Sequence, residues 1–204
     1  MASAPKEGHD QFDMTTDRGF LSGKSGPTNE LEIRNEIPDD RSAIFQVVAA
    51  AFGSESKALL VEAIRDSSSF VPELSLVALF DHRIVGHVMV SVAALRDGDN
   101  LHRILNLSPL AVAPAAQRRG VGSALVRAVT SRANELGEPL VVLEGDPAFY
   151  GRLGFEYSVP CGIYITLPPW APPEASQVIR LDSYQSHLRG QVEYPSAFEH
   201  VTHH

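Results

Sequence analysis

The residues with the most to offer chemically stand in one short run, Gln117-Arg118-Arg119-Gly120-Val121-Gly122, followed by Ser123. Gly120 and Gly122 carry no side chain, so an anion can approach the main chain closely there. The run opens an amphipathic helix, where up to four backbone amides lack partners and favour a phosphate. Arg118 and Arg119 add the charge-assisted hydrogen bonds that phosphate oxygens accept well. Residue types and spacing together describe a cradle for a diphosphate.

Two commoner phosphate motifs do not fit. The dinucleotide fingerprint needs three glycines in G-x-G-x-x-G order, and this run offers only Gly120 and Gly122. Gly19, Gly23, Lys24 and Ser25 imitate a nucleotide P-loop, yet three residues separate the glycines where the motif has four. No strand precedes that stretch, which reads as loop.

The elements that must hold the cradle follow from periodicity. Residues 31–37 predict a strand, and Pro38, Asp39 and Asp40 start a helix with acids at its positive end. Ile44, Val47, Val48, Ala51 and Phe52 share one face of that helix. A second short helix turns Leu60, Ala63 and Ile64 inward. Residues 74–80 and 84–95 predict a hairpin about Asp81, His82 and Arg83. The strand at 104–112 is interrupted by Pro109, which cannot donate to a ladder and implies a bulge or frayed edge. Val121, Ala124, Leu125, Ala128, Val129 and Leu136 give the cradle's helix its apolar stripe, closed by Gly137. A buried strand at Leu140–Glu144 comes next. Asp146 then caps a short helix with Pro147 in its first turn, ended by Gly154. Further strands are expected at 155–158, 163–167, 177–181 and around 191–194.

At these residues the chain resembles the GCN5-related N-acetyltransferase family, whose loop is Gln or Arg, two variable residues, Gly, a variable residue, then Gly or Ala. The resemblance runs over residues 31–157 in the order of elements. It includes Gly145-Asp146-Pro147-x-Phe149-Tyr150-x-Arg152-x-Gly154-Phe155, which is similar to the family's helix-to-strand segment near the acetyl group. The fold it implies is mixed α/β: a mainly antiparallel central sheet flanked by helices, with the cofactor wedged where two central strands splay apart. Acetyl-CoA is the implied co-substrate, and a primary amine of a small molecule or protein the acceptor. The main chain of Leu110, Ala111 and Val112 would bind the pantetheine arm and acetyl carbonyl. Gln117, Arg118, Arg119, Gly120, Val121 and Gly122 would bind the pyrophosphate, assisted by Ser123. Asp146 stands where many relatives carry Asn, which suggests a Gly-Asp-Pro branch; its other reading is a helix cap alone.

Acyl transfer from a thioester needs a neutral amine, whereas a free alkyl ammonium titrates near about 10.4. A base or a water relay must take the proton. Glu144 at a strand end and His102 before the interrupted strand are the candidates. A backbone amide freed near Pro109 suits the oxyanion. By family position Tyr150 would serve the departing thiolate. Cys161, between Pro160 and Gly162, has no support as a nucleophile, and no metal is expected from the terminal His200, His203 and His204.

Composition sets the outer bounds. The 204 residues, 44% hydrophobic and 21% charged, suit one globular domain at 30–199 with tails at 1–29 and 200–204. A formal net charge of −8 argues against a nucleic-acid surface. No apolar run is long enough to span a bilayer, and the first thirty residues lack a secretory pattern, so the cytoplasm is expected. One cysteine excludes an intramolecular disulfide. The Pro-rich segment 168–173 and the strands after it complete either the acceptor side or a homodimer contact. The rival to an enzyme is a non-catalytic acyl-CoA-binding module.

Overall fold

The computed structural model describes residues 30–198. The P-loop-like glycines, the terminal histidines and both tails therefore lie outside the described residues.

The chain runs β1 (Glu32–Asn35), α1 (Arg41–Phe52), α2 (Ser56–Arg65), β2 (Ser75–Phe80), β3 (Arg83–Asp97) and β4 (Asn100–Val112). It continues through α3 (Val121–Glu135), β5 (Leu140–Glu144), α4 (Pro147–Tyr150), β6 (Glu156–Tyr157), β7 (Ile163–Tyr164), β8 (Ser176–Arg180) and β9 (Gly190–Glu193). The main sheet order is β1-β2-β3-β4-β5-β8-β6, with β9 paired to the far half of β3 and β7 to β9. Only β4–β5 and β7–β9 pair in parallel. This is the mixed, mainly antiparallel sheet that the family resemblance implies.

Local chemistry accounts for the turns. Pro38 opens a short 3-10 turn that leads into α1, and Gly53 ends α1 in the left-handed region. Asp81 and His82, both at positive φ, form the tight β2–β3 connection, as the twist of a two-residue hairpin requires. Alternation then sorts the side chains. Leu76, Ala78, Val88, Val90, Leu105, Leu107, Val141 and Leu143 meet Val121, Leu125, Val126 and Val129 of α3. On the other face Val77, Leu79, Met89 and Ala111 meet Ile44, Val48, Leu60 and Ile64 of α1 and α2. A Cβ at Gly86 would come within 2.9 Å of Leu125 Cδ1, so this glycine lets α3 lie close on β3.

Three differences from the sequence-based expectation have physical causes. Strands β3 and β4 run on through Arg96, Asp97 and Asn100 because they pair with each other there and β9 adds to β3. The strands expected at 155–158 and 163–167 shrink to two residues each, since Ser158 and Gly162 enter a turn, with the Ser158 hydroxyl donating to the Ile163 carbonyl. Phe52 and Leu136, expected inward, are 46% and 50% exposed, each at or just past the end of its helix, where packing stops.

A buried polar cluster ties the first strand's end to the core beside β4. Arg65 donates to both carboxylate oxygens of Glu36, at 2.7 and 2.9 Å, and also pairs with Glu62. Ser75 Oγ donates to Glu36 at 2.7 Å. His87, fully buried and in register with Ala111 of β4, places Nε2 3.2 Å from Glu36 and 3.1 Å from Ser75. Its Nδ1 has no partner, so a protonated ring would bury an unsatisfied N–H. Burial holds the His87 pKa below its ordinary value, with Arg65 already neutralising Glu36. The Glu36 carboxyl lies well below the usual range because His87, Arg65 and Ser75 all donate to it, which outweighs its burial.

Both shifts have one sign for stability. His87 takes up a proton more readily when unfolded, near about pH 6.5, and Glu36 does so near about 4.3, so stability falls as pH drops through these values. The melting temperature should decline from pH 7 to 5, and His87→Asn should flatten that decline. An unchanged slope in scanning calorimetry of the variant would remove His87 from the account.

Candidate active site

The site begins with an irregularity in β4. Val88 of β3 pairs with Leu110 and Val90 with Leu107, so Ser108 and Pro109 together face Met89 alone. The Ser108–Pro109 peptide is cis. Strand β5 is registered on β4 only at Leu105–Val141 and Asn106–Val142; its last residues, Leu143 and Glu144, keep to Gln177 and Ser176 of β8. Beyond Asn106 the two strands part. The Ala113 amide donates to the Val85 carbonyl at 2.8 Å, which places residues 111 and 113 toward β3. Alternation then turns the main-chain groups of Leu110 and Val112 into the gap.

The loop lies against this gap. Gln117 Nε2 donates to the Val112 carbonyl at 3.1 Å and fastens the loop to the strand end. Arg118 at φ 59 and Gly120 at φ 83 adopt left-handed backbone, the kind of turn that makes successive amides converge on an anion. Gly120 precedes α3 with no side-chain cap, so the first amides of the helix point outward without intrahelical partners. The cleft they line measures about 580 Å³, within the usual range of ligand sites. Leu110, Val112, Gln117, Arg118, Gly120, Val121, Gly122 and Ser123 all line it, together with Phe52, Phe149 and Arg152. Its charged lining residues are two arginines, with no carboxylate, in a chain of net charge −8.

Other sequence-predicted residues stand differently. Ala111 is 1% exposed, its side chain under α1 and α2. Arg119 lays its guanidinium over the Phe80 ring, 4.4 Å from the centroid, beside a separate groove formed with Asp81 and Arg83. Asp146 accepts from the Ala148 amide at 2.9 Å as the cap of α4, outside the cleft lining. Tyr150 is buried, its ring on Gly145 and edge-on to Phe149 and Phe155. Burial pushes its phenol pKa up to about 12, so the hydroxyl stays protonated throughout the working range. His102 is displaced from the expected place: β4 starts before it, pairs it with Leu95 and sets its ring edge-on to His187. Along a strand that is roughly 20 Å from Ser108.

Glu144 borders a smaller cavity with Asn106, Leu107, Ser108, Tyr194 and Phe198, and its Oε1 accepts from the Tyr194 hydroxyl at 2.8 Å. Asn106, Tyr194 and Phe198 carry no local sequence signal that marks them for this site, and Phe149 and Arg152 of the Gly145–Phe155 motif prove to line the cleft. Among the described residues, no cluster of three or more His, Cys, Asp or Glu could hold a metal ion, and no helix is long and apolar enough to cross a membrane.

Comparison with known proteins agrees with this geometry. The family model described as an acetyltransferase (GNAT) domain matches residues 72–157. The Escherichia coli K12 protein named uncharacterized N-acetyltransferase YhbS is 33% identical over 168 residues, spanning 81% of this chain and 97% of that one. YjhQ, from the same organism and bearing the same class of name, is 34% identical over 122 residues, which span 60% of this chain and 66% of its own length. The crystal structure of E. coli YhbS in complex with CoA superposes with a TM-score of 0.74 at 30% identity, over 86% of this chain and 95% of that one. A Brucella melitensis GNAT acetyltransferase in complex with acetyl-CoA gives 0.67 at 27% identity, over 84% and 99%. The chain belongs to the GNAT family of N-acetyltransferases.

The Asp146 cap gives a local test. Asp146→Ala should lower stability by about 1 kcal/mol, the usual worth of an N-cap. Urea denaturation measures it, and a variant as stable as the parent would mean that the cap bond does not hold α4 in place.

Proposed function

We propose that this chain transfers an acetyl group from acetyl-CoA to a primary amine, of a small molecule or a protein, by direct attack of the amine on the thioester. The observation that carries this reading is the parting of β4 from β5, with the main chain of Leu110 and Val112 turned into a gap that leads to an uncapped helix start. The diphosphate lies on residues 117–122, on the outward amides of Val121, Gly122 and Ser123 and the Arg118 guanidinium. Arg152 adds a second cation. The pantetheine arm runs along Leu110 and Val112 like an added strand, and Ala111, paired toward β3, sets their spacing. Arg119 and Asp146 act on the cofactor indirectly, by holding the loop and α4. A cytoplasmic enzyme suits the composition, and a homodimer contact is one use of the segment after β8.

The thioester carbonyl lies at the bulge, where an amide turned into the gap accepts its developing negative charge. The amine nitrogen bonds to the carbonyl carbon, and the carbon–sulfur bond breaks as the intermediate collapses. An incoming ammonium loses one proton before attack and the nitrogen a second after it, through Glu144 to solvent. The thiolate leaves and takes one proton. A phenol near 12 is a weaker acid than a thiol near about 8.5, so Tyr150 serves the sulfur mainly as a hydrogen-bond donor, with solvent the final source of the proton. Donors and acceptors on both sides of the gap favour an enzyme over a binding module.

Amine-dependent release of free thiol from acetyl-CoA is the direct assay, and acetyl-CoA bound with no thiol released above the protein-free rate, whatever the amine, would support the binding module. Gly122→Val should fold, since a Cβ there meets Phe149, Val112 and Leu110 at 3.5 to 3.7 Å, ordinary contact distances. Its larger side chain should block the cleft, and calorimetry that found acetyl-CoA bound with parental affinity would place the cradle elsewhere.

Tyr150→Phe keeps the packed ring and removes the hydroxyl. It should lower kcat about 10- to 100-fold, the worth of a hydrogen bond to a charged atom, with acetyl-CoA binding nearly intact. Steady-state kinetics giving parental kcat, with chemistry rate-limiting, would leave Tyr150 a core aromatic.

A further inference from the structure

The smaller cavity, about 130 Å³, opens on the same gap beside the bulge residue Ser108. By strand alternation Asn106 and Glu144 share the sheet face of Ile104, Leu140 and Val142, on which Val192 and Tyr194 also pack. Asn106 is 2% exposed and its side-chain amide makes no hydrogen bond to a described residue; Nδ2 is buried without a partner. Ser91, its partner across β3–β4, likewise has a buried Oγ with none. Buried polar atoms of this kind call for a bound group, since leaving them unpaired is costly. An amine donates to the Asn106 amide oxygen through its N–H groups and so keeps its lone pair free for the thioester carbon.

The other walls define what such an amine is attached to. Tyr194 and Phe198, both lining the cavity, stack at 5.2 Å and 24°. One carboxylate, Glu144, and no cation lines the cavity. Tyr194 is held protonated by burial and by the neighbouring carboxylate, so it remains a donor that fixes Glu144 Oε1. An amine with its own carboxylate or phosphate finds no counter-charge here. A cavity of ~150 Å³ admits a benzene ring, which sets the scale of the stem.

We infer that this cavity receives the acceptor, and that the acceptor is a small primary amine on an apolar stem of about six carbons or fewer. Glu144 and Asn106 hold the nitrogen beside the bulge, the Tyr194–Phe198 stack holds the stem, and Tyr194 is a positioning residue for Glu144. This rests on the acyl-transfer reading of the same gap.

The test is steady-state thiol release by the full chain with butylamine, hexylamine, alanine and an end-blocked lysine peptide, with acetyl-CoA affinity measured by calorimetry on every variant. The two free amines should exceed alanine and the peptide at least about tenfold in kcat/KM. Glu144→Gln should raise the amine KM roughly 10- to 100-fold, as expected for loss of a charged partner, with acetyl-CoA affinity unchanged. Tyr194→Phe should raise the amine KM less, and more than it lowers kcat. Phe198→Ala, or Phe198→Leu if that variant does not fold, should move the preference toward bulkier arylalkylamines. Alanine or the peptide turned over as well as the free amines would overturn the inference, as would a parental preference order in the Phe198 variants. Acetyl-CoA binding and amine acetylation indifferent to these substitutions would keep the transferase and reject the pocket, whereas no acetyl-CoA binding at all would reject both.

Discussion

A backbone amide withdrawn from a sheet ladder must find another partner, and the parting of β4 from β5 leaves several turned into open space. The rest of the site depends on this constraint. The extra residue opposite Met89 bends β4 away, and β5 is kept from following because Leu143 and Glu144 are claimed by β8. The gap is therefore held open from both sides by hydrogen bonds that lie outside it. What enters must offer the main-chain complement that a neighbouring strand would have supplied, as the amide-bearing arm of an acyl-CoA does.

Charge placement complements that geometry. An acidic chain repels a polyanion at long range, so the attraction has to be local. In the proposed function this falls to Arg118, Arg152 and the helix-start amides, in a cleft lined by no carboxylate. The acidic group nearest the reacting end, Glu144, is kept instead for the smaller cavity, where it meets a phenol. One sheet opening thus divides into a cationic side suited to an anionic donor and an acidic side suited to a cationic acceptor. The buried Glu36–Arg65–His87 cluster stabilises β3 directly opposite Ala111, and so steadies the strand on which both sides depend.

What was legible in the sequence was governed by local rules. Glycine spacing, the apolar stripe of α3, the Asp146 cap and the Pro109 interruption each lie within a few residues of their effect, and the structure has each of them, with Leu136 alone falling off the stripe. The family resemblance supplied the mainly antiparallel sheet and the splay of two central strands, which no local pattern contains. Residues brought together across the chain were not legible: Tyr194 reaches Glu144 from fifty positions away, and Glu193 pairs with Ala94 through a strand of only four residues. Arg119 shows the limit of reading a motif as a unit. Adjacent side chains on a tight turn diverge, so Arg118 lines the cleft while Arg119 lies on Phe80. His102 was misplaced for a related reason, because Asn100, His102 and Arg103, polar and around a lone Leu101, gave no sign that β4 already included them.

The claim that the acyl donor occupies the opening between β4 and β5 is tested most directly by amide hydrogen exchange with and without acetyl-CoA. Protection should rise at the Leu110 and Val112 amides and at Val121, Gly122 and Ser123 together, with Ala111, already turned to β3, little changed. Protection confined to other segments, or to the helix start without Leu110 and Val112, would contradict it.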